Sequence, residues 1–140
     1  MTSRFVLHSR HFAILCTLLS LAAAVLLTGV TSKSAAATPT VVVKMWDMPP
    51  SFQPVEVTIK AGETVEWKNI GNEVHHATSD PSEAIKRGEV ANPPGAEPFY
   101  SGFLRPGENF SHTFKIPGVY RYTCVVHEAK GMTGEIVVRQ

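Results

Sequence analysis

The chain has 140 residues, enough for one ordinary domain and too few for two. Its 13 Lys and Arg stand against 12 Asp and Glu, a formal charge of +1. That balance argues against a nucleic-acid-binding protein, whose surface is usually strongly basic. Three of the basic residues and none of the acidic ones lie in the first 37 residues, so residues 38–140 carry a formal charge of −2.

The amino-terminal part reads as an export signal. Arg4 and Arg10 form a positive start, residues 12–30 carry no charged side chain, and Ala35, Ala36 and Ala37 supply the small residues that a signal peptidase accepts. Cleavage is expected after Ala37. The alternative is a retained anchor, because an apolar run of this length could just span a bilayer. Both readings place residues 38–140 outside the cytoplasm, in the periplasm or another extracytoplasmic compartment. No twin-arginine pair is present, so export in the unfolded state and later cofactor uptake are expected. Cys16 falls inside the apolar run and is given no function. Cys124 is then the one cysteine of residues 38–140, and it has no internal disulfide partner.

The remaining 103 residues hold ten Pro and nine Gly, which favours many turns over a helical bundle. Residues 41–46 are a β-branched run, expected as the first strand, followed by a loop over 47–51. Residues 52–60 read as one extended piece, with Val55, Val57 and Ile59 alternating against Glu56, Thr58 and Lys60. A turn at 61–63 leads to a strand over 64–69, with Val65 and Trp67 on one side. That pair is expected as a hairpin or a connection between sheets. Residues 75–79 suggest a further short strand. Residues 80–98 read as a surface excursion with one helical turn near 83–87.

Regularity returns at 100–103. Phe110, His112 and Phe114 then alternate with Ser111, Thr113 and Lys115, residues 119–124 form a strong strand, and 134–138 form the last. Seven or eight short strands in this length predict an all-β sandwich. A structural immunoglobulin-like domain would show much the same pattern, so the function must come from particular side chains.

The informative stretch is residues 124–132, in which Cys124, His127 and Met132 follow the spacing Cys-x2-His-x4-Met. Thiolate, imidazole and thioether donors thus share one loop between two strands. His75 stands at the end of a distant polar loop, and strand ends of a sandwich can bring such residues together. The inferred set is His75, Cys124 and His127, with Met132 as a weak axial ligand. Two imidazoles and one thiolate suit copper electron transfer: sulfur favours Cu(I), and imidazole supports Cu(II) as well.

On these residues the sequence closely resembles the plastocyanin-like cupredoxins. The matching segments are residues 52–54, 61–69, the surroundings of His75, Pro106-Gly107, 118–122, and 124–132 with Gly134. In that family the first copper histidine follows the strand tryptophan by eight positions, which from Trp67 selects His75. The resemblance implies a Greek-key β-sandwich, one type 1 copper ion cycling between Cu(I) and Cu(II), and one-electron transfer. His76 stands where relatives often carry Asn, Val126 stands where they often carry Pro, and Glu128 sets a carboxylate next to His127 in the chain.

Adjacent residues of a strand point in opposite directions, so His75 and His76 should not share one metal. His76 is expected to hydrogen-bond near the site or to meet solvent. His112 is expected as a structural strand residue, and Met45 and Met48 as packing or surface residues. Asn69 is either a turn residue or a clamp linking the two ligand-bearing loops. One edge of His127 is expected near solvent, beside Pro106, Gly107, Gly131 and Val126, where donor and acceptor proteins would dock briefly.

The expected function is an exported single-electron shuttle rather than an enzyme, with a monomeric mature domain. An enzyme subunit would need a further multi-histidine set. A copper-delivery protein would need an open, exchangeable site.

Overall fold

The computed structural model describes residue 39 and residues 41–140. The segment read as a signal peptide or anchor, residues 1–37, lies outside the described residues. Among the described residues no helix is long and apolar enough to cross a membrane.

Among the described residues seven strands form two sheets. They are β1 (Val41–Asp47), β2 (Pro50–Gln53), β3 (Glu56–Lys60), β4 (Thr64–Asn69), β5 (Asn109–Thr113), β6 (Gly118–Thr123) and β7 (Thr133–Arg139). One sheet has the order β2-β1-β4-β5 and the other β3-β7-β6. β1 runs parallel to β4, and β3 runs parallel to β7; the other neighbours are antiparallel. This is the sandwich expected from the strand count, with the Greek-key topology that the family resemblance implied.

Alternation explains which face of each strand is buried. Val43 and Met45 on β1, Val57 and Ile59 on β3, and Ile136 and Val138 on β7 turn inward at every second position. Between the sheets, Trp67 packs with Phe99, Phe110, Phe114 and Tyr122 at ring-centroid distances of 4.9–6.2 Å. Such rings bury large apolar areas and supply much of a small core's stability. Gly134 lies directly over the Tyr122 ring, where any β-carbon would overlap the phenol.

Three expectations are corrected. Residues 52–60 are not one strand: β2 belongs to one sheet and β3 to the other. Pro54 lacks the N–H that a continuous ladder needs, so the chain crosses between sheets there, and Val55 points to solvent. β3 and β4 are accordingly a connection between sheets rather than a hairpin. Residues 75–79 form isolated bridges, His75 with Leu104 and Thr78 with both Tyr100 and Thr123, rather than a strand. The helical turn near 83–87 occurs slightly later, as a 3-10 helix over Arg87–Glu89.

Candidate metal centre

The centre is assembled by three backbone devices. Cys124 directly follows β6, and the loop after it winds through 3-10 turns over Val125–Lys130. The loop closes on itself: the Cys124 N–H donates to the Met132 carbonyl at 3.0 Å, and the His127 N–H donates to the Cys124 carbonyl at 2.9 Å. Gly131 ends the turns with φ 77° and ψ 26°, the left-handed conformation that glycine adopts without a β-carbon clash.

The second device brings His75 alongside. Thr78 and Thr123 exchange backbone hydrogen bonds of 3.0 and 2.9 Å, tying residues 75–79 to the end of β6. His75 and Leu104 exchange another pair, of 3.0 and 2.8 Å. Asn69 is the third device. Its side-chain amide donates to the carbonyls of Glu73 and Leu104, and its oxygen accepts the Gly71 N–H. Asn69 therefore does clamp the site, but it joins the His75 loop to the Leu104 loop, not to residues 124–132.

The result is a buried cluster of His75, Cys124 and His127 whose donor atoms all lie within 4.8 Å of one another. Cys124 Sγ lies 3.9 Å from His75 Nδ1 and 3.7 Å from His127 Nδ1. A metal–sulfur bond of about 2.3 Å and a metal–nitrogen bond of about 2.05 Å, opened to about 120°, separate sulfur and nitrogen by about 3.8 Å. The donors are therefore spaced to hold one metal ion, and their softness fits copper. Among the described residues no second cluster of this kind accompanies it. Met132 is buried, and its backbone bonds to Cys124 and His127 keep it against the same loop. Burial pushes the Cys124 thiol up, and the backbone N–H groups of His127, His76 and Val126 draw it part of the way back. A bound cation would remove that proton outright.

Several residues take places that spacing did not foretell. His127 is only 4% exposed, so its ring does not meet solvent as expected. Its Nε2 is covered by Glu73, whose Oε2 lies 2.8 Å away. Val126, Pro106, Gly107 and Gly131 are exposed as expected. His75 Nε2 pairs with Asp47 Oδ1 at 2.9 Å. Asp47 also accepts the Asn72 N–H; that bond first, and the one to His75 second, lower its carboxyl below the usual range.

Glu128 does not face His127. It is fully buried and accepts the N–H groups of Ile85 and Lys86 at 2.8 and 2.6 Å. His76 turns away from the cluster, as alternation requires, but it neither meets solvent nor satisfies its Nδ1. It stands edge-on to Tyr100, and burial lowers its pKa to about 4. Asp47 and Glu73 carried no signal in the sequence, because a lone acidic residue in a loop is usually solvated surface.

Residues 39–139 match the family of copper binding proteins described as plastocyanin/azurin. The chain belongs to that family. It is 39% identical to a plastocyanin from Scenedesmus fuscus over 88 residues, covering 63% of this chain and 86% of that one. It is 33% identical to a chloroplastic plastocyanin from Oryza sativa subsp. indica over 87 residues, covering 62% of this chain and 54% of that one. Among solved structures, an oxidized amicyanin variant superposes with a TM-score of 0.56 at 25% identity, over 74% of this chain and 86% of that one. A copper-containing nitrite reductase from Thermus scotoductus gives 0.57 at 30% identity over 76% of this chain, but only 23% of that longer chain is covered. The fold thus recurs in proteins of differing size.

Proposed function

We propose that this protein is an exported type 1 copper protein that carries single electrons between donor and acceptor proteins and transforms no substrate of its own. The observation that carries this reading is the buried His75–Cys124–His127 cluster at metal-ligand spacing. Plastocyanins and an amicyanin among the similar proteins support an electron carrier. We assign His75, Cys124 and His127 as the strong ligands of one copper ion and Met132 as the weak axial ligand. When bound, copper supplies a one-electron couple between Cu(I) and Cu(II).

The chain's own contribution is constraint. The closed loop at residues 124–132 and the Asn69 clamp hold the donors in place before metal arrives. Burial keeps bulk water from the donor atoms. A scaffold that cannot relax lowers the reorganisation that each change of charge would otherwise require. The exposed surface at Val126, Pro106, Gly107 and Gly131 suits brief docking. Chloroplastic plastocyanins among the relatives support a place outside the cytoplasm. A cleaved signal over residues 1–37 and a monomeric mature domain complete the reading.

The test is the spectrum of the copper-loaded protein with three variants. Wild type and His76→Ala should bind one copper per chain and show the intense visible band of Cu(II)–thiolate charge transfer. Cys124→Ser and His75→Ala should lose that band while the sandwich stays folded by circular dichroism. An unchanged band in Cys124→Ser would overturn the assignment.

A further inference from the structure

Both ring nitrogens that face away from the metal donors end on a carboxylate. His75 Nε2 lies 2.9 Å from Asp47 Oδ1, and His127 Nε2 lies 2.8 Å from Glu73 Oε2. An ionised carboxylate only accepts, so each Nε2 carries a hydrogen, and in the neutral imidazole that binds a metal Nδ1 then presents the lone pair. Those two Nδ1 atoms are the ones that lie 3.9 and 3.7 Å from Cys124 Sγ.

The two carboxylates come from different elements yet are built as one unit. Asp47 ends β1, whereas Glu73 lies in the loop after β4. Asp47 accepts the Asn72 N–H at 2.6 Å and the Glu73 N–H at 3.4 Å, so it shapes the loop that carries its counterpart. Gly71 fits the same design: any β-carbon there would overlap the Asp47 carboxylate. Asn69 fixes the loop from its other side through the Glu73 carbonyl.

We infer that Asp47 and Glu73 are paired positioning residues that lock both imidazoles with Nδ1 toward the metal and make both rings stronger donors. The inference rests on the copper reading above and deepens it. A carboxylate that takes up the Nε2 hydrogen pushes electron density into the ring and raises its basicity. A stronger nitrogen donor favours Cu(II), the harder oxidation state, over Cu(I). The site is therefore biased toward a lower potential than the same ligands would give with neutral acceptors behind them. The bias acts on both rings, because each carries its own carboxylate.

The decisive variant is Glu73→Gln, since Glu73 is exposed and its replacement leaves the core untouched. Its amide oxygen can still accept the Nε2 hydrogen, but the negative charge is gone. The Cu(II) affinity should fall about tenfold with Cu(I) affinity little changed. For a one-electron couple that tenfold change is a rise of about 59 mV in the potential. Asp47→Asn should shift the potential in the same direction.

Nitrogen-15 NMR of the metal-free protein gives an independent readout. Wild type should hold His75 and His127 as single Nε2–H tautomers, and Glu73→Ala should convert His127 to a mixture of tautomers. A carboxylate that only clips a loop would alter stability without moving either signal. Unchanged potential in Glu73→Gln together with an unchanged His127 tautomer in Glu73→Ala would overturn the inference. If wild type instead failed to form a copper–thiolate band, the copper reading would fall, and the metal-free tautomers would still decide the positioning role.

Discussion

At the scale of single residues, Met132 shows how backbone and side chain divide the work. Its carbonyl accepts from the Cys124 N–H and the Thr123 hydroxyl, and its N–H donates to the His127 carbonyl at 3.3 Å. These bonds close the ligand loop whatever side chain position 132 carries. In the proposed copper site the thioether would add a soft, weak donor. Met132→Leu keeps nearly the same apolar volume and removes the sulfur, so the loop should stay folded. Losing a donor favours Cu(I), and the potential should rise by ~60 mV or more, a tenfold or greater shift toward Cu(I). Voltammetry with absorption spectra checks this; a potential that falls or stays fixed in an intact site rejects the axial role. The closeness of Cys124 and His127 was legible because both side chains come from one loop. Glu73 was not, because its partner lies 54 positions away in the chain and only folding brings them together.

Among the elements, the excursion at residues 80–98 is more firmly held than its composition suggests. Ser79 and Asn92 bond to one another through side chain and backbone, and Ala91 bridges to Arg121 on β6. Ala84 and Val90 are buried. Glu128, from the ligand loop, caps the Ile85 and Lys86 amides with a fully buried carboxylate. Its chain neighbourhood suggested a charge placed against His127, but the side chain is taken up by the Ile85 and Lys86 amides instead. Removing that cap leaves two N–H groups without their partner, at a cost of about 1–3 kcal/mol for each one kept from water. Glu128→Ala should therefore lose about 2–6 kcal/mol in chemical denaturation. Hydrogen exchange at the Ile85 and Lys86 amides should accelerate. If both amides stay protected at the wild-type level, the excursion is held by other contacts.

For the whole molecule, stability depends on a core that two sheets share. His112 projects from β5 beside Phe99 and Phe114, at ring-centroid distances of 5.3 and 4.8 Å. Burial there lowers its pKa below the ordinary 6.5, since the charged ring would lose hydration. The unfolded chain then binds a proton that the folded chain refuses. This contribution to stability is complete above pH 6.5 and is lost as the pH falls through the lower folded value. The slope from one such group is at most about 1.4 kcal/mol per pH unit. His76, also buried, adds to the slope in the same window. Denaturation measured at pH 8 and pH 5.5 should show a smaller loss for His112→Gln than for wild type. Equal losses would mean that His112 is protonated without cost in the folded protein.

Local information was enough to decide most of the strands and the loop that carries Cys124 and His127. Alternating β-branched residues impose a period of two, and proline and glycine mark where strands stop. The spacing of Cys124, His127 and Met132 spans too few residues to be separated by folding. Tertiary structure alone decided the rest. It divided residues 52–60 between two sheets, because Pro54 can end a ladder while only the packing of both sheets decides where the chain goes next. It drew His75 in through bridges to Leu104 and, by way of Thr78, to Thr123, and it set Asp47 and Glu73 behind the two imidazoles. Those pairings join residues from 28 to 54 positions apart. Periodicity reports which face of an element is buried, but not which distant element will meet that face.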